Sequence, residues 1–407
     1  MNVCPFEYVR SDRELADEDV PIDCMEFVVS RDPRLLIQSL IPSLSRKALP
    51  GPVKGSVTSY HFWARNALFH GLGALGLQPG DKVLVPAFHC STVVEPILHY
   101  GCVVVFYHVN RDGIVDFEDM ARKVDSLTKA VLAIHYFGVL QPVKTIREFC
   151  HHHQLFFIED CAHLLMGEGD DGPLGSVGDI SIFSWRKFFP IYDGGMLVCN
   201  QAQMLPTVPW DGFGGWLHLK IVKNLFEKYL SDRSAVRLPV VLNCENPDPE
   251  REDCVSEAEV RAKLQPKTLS AEFDALQINW PMSPWSRFIL EHIDLPAVMQ
   301  KRQEHSKFLN QALGEVSGVR PWSTAGVNGV CAWAFPIVSE NRTDLHIQLR
   351  KRGIQSFSWD GVIHPSLPLE EFQDARFLYE RLVLLPNHQS LTQEELHFVI
   401  ESVKDVL

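Results

Sequence analysis

The sequence contains nothing close to the ~18 uninterrupted apolar residues that a bilayer-crossing helix needs. Its first residues show no basic start leading into an apolar run of the secretory kind. Those two absences set the expectation of a cytoplasmic chain with no membrane partner. Cysteine is present but unorganised: ten in 407 residues, with no CxxC pair. That excludes a disulfide scaffold and a zinc ribbon, and leaves reduced thiols acting as small core residues. Positive charge is in deficit, 38 Lys and Arg against 51 Asp and Glu for a net −13. A general polyanion binder displaces counterions with a basic surface, so no nucleic-acid partner is expected. There is no internal repeat and no low-complexity tract. The run His151, His152, His153 has no Cys or His partner at ligand spacing, and neighbouring helix positions point apart, so no metal is expected. Asn341, Arg342, Thr343 fits a glycosylation acceptor, which carries meaning only in a secreted chain.

What is there is an ordinary globular composition, 46% apolar and 22% charged, in a chain too long for one small core. Residues 1–45 are charged and irregular and read as an N-terminal arm. Residues 46–270 read as a large domain, interrupted by an insertion at about 201–267, and residues 271–407 as a smaller C-terminal α+β domain. Within the large domain a helix over 67–77 stops at Gln78, Pro79, Gly80. Strands are expected over 82–86, 102–107, 130–135, 155–158, 181–184 and 195–199, with helices over 92–100 and 143–152 between them. Strands alternating with helices imply βαβ units and a mostly parallel sheet covered on both faces. In the insertion, residues 216–230 have Leu217, Ile221, Leu225 and Leu230 at helical spacing, a helix that packs on the body or a partner. Residues 243–253 are acidic and read as an exposed loop. A long helical region begins at Pro284, followed by strand candidates 332–338 and 356–359 and a closing helix over 392–406.

Three pieces carry chemistry. Asp160, followed by His163, lies at the carboxyl end of a strand, where open α/β sheets place ligands. A carboxylate there can hold a protonated pyridine nitrogen, and by itself it can equally be a helix cap. Lys187 sits between Trp185 and Phe188-Phe189, poor company for a surface lysine. Desolvation favours its neutral amine, the form that attacks an aldehyde, although a snorkelling stem reads the same way. Ser184 and Arg186 beside it can serve a phosphate. Trp63, Ala64, Arg65 open a helix whose free amides, with Arg65, form an anion site, though without a glycine-rich loop. Anion site, strand-end Asp, then Lys after 187 − 160 = 27 residues gives three handles for one small molecule: its phosphate, its ring nitrogen and its aldehyde.

In this order the motifs resemble the DegT/StrS family of pyridoxal-phosphate-dependent, fold-type-I sugar aminotransferases. Ala64 to Leu68, then Leu77 to Pro86, are similar to the family's opening helix and strand. His135-Tyr136-Phe137-Gly138, Glu159 to His163, Gly175 to Asp179, Lys187 ahead of Asp193-Gly194-Gly195, and Leu385 to Leu391 follow in the family's sequence. The resemblance implies an α/β large domain with a smaller α+β domain and a homodimer. It also implies pyridoxal 5′-phosphate bound to Lys187 as a Schiff base. It places Asp160 on the ring nitrogen, His163 beside the ring, and Ala64, Arg65 and Ser184 at the phosphate. The ring's stacking partner falls within Phe88, His89 and Cys90; the simplest register puts Cys90 where the family has an aromatic. Two departures are visible. Ser184 precedes Lys187 by 187 − 184 = 3 residues, closer than in the family, and 282–287 stands where a neighbouring subunit's Asn-rich segment is expected. The implied reaction is amino transfer from glutamate or glutamine to a carbonyl acceptor such as a nucleotide-linked keto-sugar. A lyase or dehydratase on the same cofactor, or a catalytically silent binding or regulatory protein, are the alternatives.

Overall fold

Val83-Leu84-Val85 and Val131-Leu132-Ala133-Ile134 are apolar on both strand faces, and only a strand sandwiched between two layers buries both. A computed structural model shows this arrangement; it describes residues 29–34, 49, 56–169, 171–201, 208–233, 273–322, 330–359 and 362–407. The elements run β1 (Val57–His61), α1 (Ala64–Ala74), β2 (Lys82–Pro86), α2 (Ser91–His99), β3 (Val103–Tyr107), α3 (Phe117–Lys123), β4 (Thr128–Ile134), α4 (Val143–His153) and β5 (Phe156–Asp160). A two-residue-strand hairpin (β6 Glu168–Gly169, β7 Gly172–Pro173) precedes β8 (Ile180–Ser184) and β9 (Gly195–Cys199). These form a seven-stranded sheet ordered β1-β9-β8-β5-β4-β2-β3. Strands β3, β2, β4, β5 and β8 are parallel, and β9 is antiparallel to both β8 and β1. Helix α1 buries Ala67, Leu68, Gly71 and Leu72 on one stripe. A side chain at Gly71 would meet Ile180 Cδ1 at 2.6 Å, so glycine there lets the helix lie close on β8.

After α5 (Gly215–Arg233), α6 (Pro284–His292) and α7 (Leu295–Leu313), a second, antiparallel sheet is ordered β10 (Val319–Pro321), β11 (Ala334–Ser339), β12 (Leu382–Pro386). It is joined by α8 (Leu345–Lys351), α9 (Gln373–Arg381) and α10 (Gln393–Val406). Its own apolar cluster contains Leu309, Leu349, Phe335, Ile337, Leu385 and Val399, and also Val29. Val29 bridges Ile354, so this part of the arm lies on the C-terminal unit. Thr392 and Glu395 form a reciprocal capping box that fixes the start of α10.

The expected elements recur with informative shifts. The first helix begins at Ala64 instead of 67, and the fifth strand runs on to Asp160 instead of stopping at 158. The helical region after 284 breaks at Ile293, where Asp294 caps a second helix by accepting from Ala297 N. Residues 356–359 are not a strand: Phe357 makes only an isolated bridge to Leu384, and the Ser356 hydroxyl donates to His346 O. Edge strand β1 was not anticipated, because Val-Thr-Ser-Tyr-His has no apolar run to reveal it. Helix α5 stands where the amphipathic helix was expected; the loop 243–253 and most of the arm 1–45 lie outside the described residues.

Candidate active site

Sheet order brings the three pieces together. β5 ends in Asp160 and its neighbour β8 ends in Ser184, after which a single 3-10 turn, Trp185–Lys187, carries the lysine over the strand ends. β9 pairs Gly195 with Ser184 on one side and with His61 on the other. Three residues past His61, α1 begins. A side chain at Gly195 would lie 2.2 Å from the Trp63 carbonyl carbon and 2.5 Å from Ala64 N. Glycine is therefore required for the start of α1 to touch the sheet. The result is a pocket lined by Ala64, Arg65, Cys90, Asp160, Ala162, His163, Ser184, Arg186 and Lys187, with Trp63, Thr92 and Trp359 among its walls.

Lys187 borders this pocket while protein surrounds its amine. Burial is the main cause that pulls its pKa down to about 8; Asp160 and Cys90 oppose the shift and the Arg186 charge adds to it. At neutral pH a usable fraction of the amine is unprotonated. Asp160, 2% exposed, accepts from Ala162 N at 2.8 Å. Burial raises its pKa, against the Ala162 bond and the charges of Lys187 and His135. A positive ring nitrogen placed beside it restores the ionised form. His163 stacks on Phe137 with centroids 4.4 Å apart and planes 8° apart, and its Nδ1 is buried without a hydrogen-bond partner. Burial pushes its pKa well down, so it meets the pocket as a neutral ring.

The same pocket gathers groups that can hold an anion. The α1 N-cap is Trp63, whose side chain makes no capping bond, so the first amides of the helix remain available. Ser184, 5% exposed, lines the same pocket, and its hydroxyl has no hydrogen-bond partner among the described residues. The Arg65 and Arg186 guanidinium carbons lie 5.1 and 5.0 Å from the Trp63 ring centroid.

The C-terminal unit closes a wall. Leu165 N donates to Cys331 O and Trp333 N donates to His163 O, seating residues 331–333 along the turn after Asp160. Lys187 Nζ then stands 4.7 Å from the Trp333 ring centroid. Arg302, 1% exposed, donates to the carbonyl oxygens of Phe188, Trp333 and Asn387 and to Gln389 Oε1. It ties the residue after the lysine to the last strand of the second sheet.

Of the residues read from the sequence, Ala64, Arg65, Cys90, Asp160, His163, Ser184 and Lys187 line one pocket. His89 does not. It is fully buried, its Nδ1 faces Pro86 O and Ala87 O, and its ring stacks on Phe106 at 4.9 Å. The chain alternates there: Phe88 enters a buried cluster with Tyr136, Trp359 and Tyr379, and Cys90, capping α2, is left facing the pocket. Trp333 and Trp359 were not foreseen, and no local pattern marks them. His135, Glu159 and Cys161 lie close enough together to suggest a metal. The His135 and Glu159 ligand atoms are already engaged: Glu159 Oε1 accepts from Val177 N and Gly178 N, and Gln141 N donates to His135 Nδ1. That leaves His135 Nε2–H to donate to Glu159 Oε2, at 3.3 Å.

Residues 64–207 match the model of the DegT/DnrJ/EryC1/StrS aminotransferase family. The chain is 36% identical over 138 residues to a GDP-perosamine synthase of Vibrio cholerae, covering 33% of this chain and 38% of that protein. It is 33% identical over 146 residues to a UDP-N-acetyl-3-dehydro-alpha-D-glucosamine 3-aminotransferase of Acidithiobacillus ferrooxidans, covering 34% and 39%. The matched segment thus spans well under half the length of these curated relatives. Over a longer stretch the fold is similar to the putative sugar aminotransferase Spr1654 of Streptococcus pneumoniae in its PLP form. The TM-score is 0.63 at 17% identity, with 93% of this chain and 98% of that one covered. It is likewise similar to DesV of S. venezuelae in complex with a ketimine intermediate, at TM-score 0.59 and 18% identity, covering 86% and 84%. The fold is the α/β fold of these aminotransferases, as the order of the sequence motifs implied.

Proposed function

We propose that this chain, matched to an aminotransferase family over 64–207 and folded like sugar aminotransferases, is a pyridoxal-phosphate-dependent aminotransferase. It moves an amino group from glutamate or glutamine to a carbonyl acceptor, a nucleotide-linked keto-sugar. The acceptor class is supported by relatives named as GDP- and UDP-sugar enzymes.

The observation that carries this reading is one pocket whose unsatisfied groups match the cofactor. Ser184 lines the pocket with a hydroxyl that makes no hydrogen bond among the described residues, α1 has uncapped amides, His163 has an orphaned Nδ1, and Asp160 lies where a cationic ring nitrogen restores its charge. When bound, pyridoxal phosphate supplies an aldehyde that condenses with amines and a ring that accepts an electron pair. Ser184 and the amides of Ala64 and Arg65 hold its phosphate. Asp160 would hold the ring nitrogen protonated, and the small Ala162 lines the pocket beside it. Lys187, its amine drawn down to about 8, would be the residue that holds the aldehyde. When free of the aldehyde, its Nζ would be the base for the proton on the donor's α-carbon. The wall of Trp333, Phe137 and His163 keeps water from that amine.

The reading includes a cytoplasmic homodimer. Helix α5 turns Ile221 inward while Trp216, Leu219 and Phe226 are 79%, 64% and 57% exposed. Trp285 Nε1 donates to His218 Nδ1 at 3.3 Å, which joins α5 to α6 and to the exposed Phe288. A helix apolar on both sides fits a second copy covering the outer one.

The test is direct. Protein mixed with pyridoxal phosphate, reduced with borohydride and digested should carry the label on the Lys187 peptide. Adding glutamate before reduction should abolish that label and release 2-oxoglutarate. Label elsewhere, or none, rejects the reading; ammonia and a keto acid formed without an acceptor favour the lyase alternative.

A further inference from the structure

The proposed cofactor poses a charge problem that the Ser184 hydroxyl and the amides of Ala64 and Arg65 do not solve. A phosphate monoester carries about −1.5 to −2 at pH 7. A helix N-terminus supplies roughly +0.5 and a serine hydroxyl nothing. Lys187 faces Asp160, and the neutral ring of His163 adds no charge. Among the described residues lining the pocket, the remaining cations are Arg65 and Arg186. Arg186 makes no ion pair with any carboxylate among the described residues, although an acidic partner is the usual fate of a half-buried guanidinium.

Both guanidinium groups rest on the same support. Trp63 is 5% exposed and fixed on three counts. Its carbonyl accepts from Asn66 N and Ala67 N, its Nε1 donates to Gln277 Oε1 at 3.2 Å, and its ring packs edge-on to Phe62 at 4.8 Å. A fixed indole holding two guanidiniums at 5.0 and 5.1 Å orients cations that would otherwise repel and disperse. Ser184, two residues before Arg186, lines the same pocket.

We propose that Arg186, with Arg65, posed on the Trp63 ring, completes a phosphate site from within a single chain. The geometry accounts for the unusual closeness of Ser184 and Lys187. The short turn leaves room for Arg186 between them and puts its charge at the phosphate end of the pocket. It also removes the need for a charge-bearing or amide segment from a second subunit at that position. This rests on the cofactor reading above, and the ligand chemistry is a phosphate monoester. The cofactor's own phosphate and a phosphate of the sugar-nucleotide acceptor share that chemistry, and the cofactor's is the one assigned.

The experiment compares the affinity of the cofactor-free full chain for pyridoxal phosphate and for pyridoxal, read from absorbance of the lysine adduct. Comparing the two ligands cancels any general loss of folding, which would weaken both. Wild type should prefer the phosphorylated ligand strongly. Arg186→Met should narrow that preference by about tenfold or more, and Arg186→Lys should fall between them because it keeps the charge without the fork. Trp63→Leu should narrow it as well, by freeing the guanidiniums. In Arg186→Met the pH midpoint for adduct formation should move up, since a repelling charge has gone. The preference should hold as wild-type protein is diluted through subunit dissociation. An unchanged preference in Arg186→Met with Lys187 still labelled overturns the proposal and leaves the cofactor reading standing. A preference that vanishes on dilution overturns it in favour of a partner's group. If wild type forms no adduct with either aldehyde, the proposal and the reading both fail.

Discussion

Two faces of this molecule use aromatic residues in opposite ways. Around the strand ends, Trp63, Trp185, Phe137 and Trp359 are buried and each is pinned by neighbours, so polar groups between them are held in fixed positions. On α5 and α6, Trp216, Phe226 and Phe288 project outward with no partner layer among the described residues. Apolar surface of the first kind lowers the local dielectric and sets the chemistry of Lys187. Apolar surface of the second kind carries no reacting group nearby and reads as contact area. The same residue types therefore mean reactivity where polar atoms are trapped among them, and association where they are not.

The sharpest way to break the comparison is at the lysine. Lys187→Ala should leave the fold intact and cut amino transfer about a hundredfold to ten-thousandfold, the range for losing a positioned general base, as measured by steady-state turnover. Retained turnover would strip the buried face of its special status.

Gly195→Ala probes the scaffold beneath it. A methyl 2.2 Å from the Trp63 carbonyl carbon must drive α1 off β9. Stability should fall by about 3 kcal/mol in urea denaturation, and cofactor affinity should fall further than stability alone explains.

A milder probe is pH. Neutral amine increases as pH rises through about 8, so the rate of adduct formation should climb through that value and then level off. The linkage has a definite sign. Above about 8 the folded chain has released a proton that the unfolded chain keeps up to the ordinary lysine value of 10.5, so cofactor-free protein should gain stability between them.

The smallest effect on folding should come from the outer face. Trp216→Glu combined with Phe288→Glu should change unfolding free energy by no more than about 1 kcal/mol, near what two exposed sites contribute. Sedimentation should nonetheless show the dimer giving way to monomer. A monomeric wild type would remove the second half of the comparison.

How much of this was legible in the sequence follows from how local each signal is. Asp160 announces itself because a carboxylate ends an apolar strand, and Lys187 because bulky apolar residues surround it in sequence as they do in space. His89 misleads for the same reason in reverse. Adjacent residues Phe88, His89 and Cys90 point in different directions, and the sequence does not say which one the pocket receives. Trp333 and Trp359 were invisible, since their place depends on pairings such as Leu164 with Ala332, made across more than a hundred and fifty residues (332 − 164 = 168). The alternation Ser356, Phe357, Ser358, Trp359 mimics a strand, yet its phenylalanine and tryptophan serve a bridge and a pocket wall. Periodicity reports which face is apolar, not what will face it.

Arg302 gives the far end of the chain a stake in the chemistry. Its guanidinium, drawn down to about 10 by burial, is bonded to no carboxylate among the described residues and instead gathers the carbonyls of Phe188, Trp333 and Asn387. Gln389 adds a second grip on the Phe188 carbonyl, 201 residues away along the chain. Truncation ahead of Asn387 would leave a cation sealed from water and short of acceptors, and would let go of the backbone one residue past the lysine. Lesions in the tail should thus present as catalytic defects, and a proteolytic nick there should discharge the cofactor before it unfolds the protein.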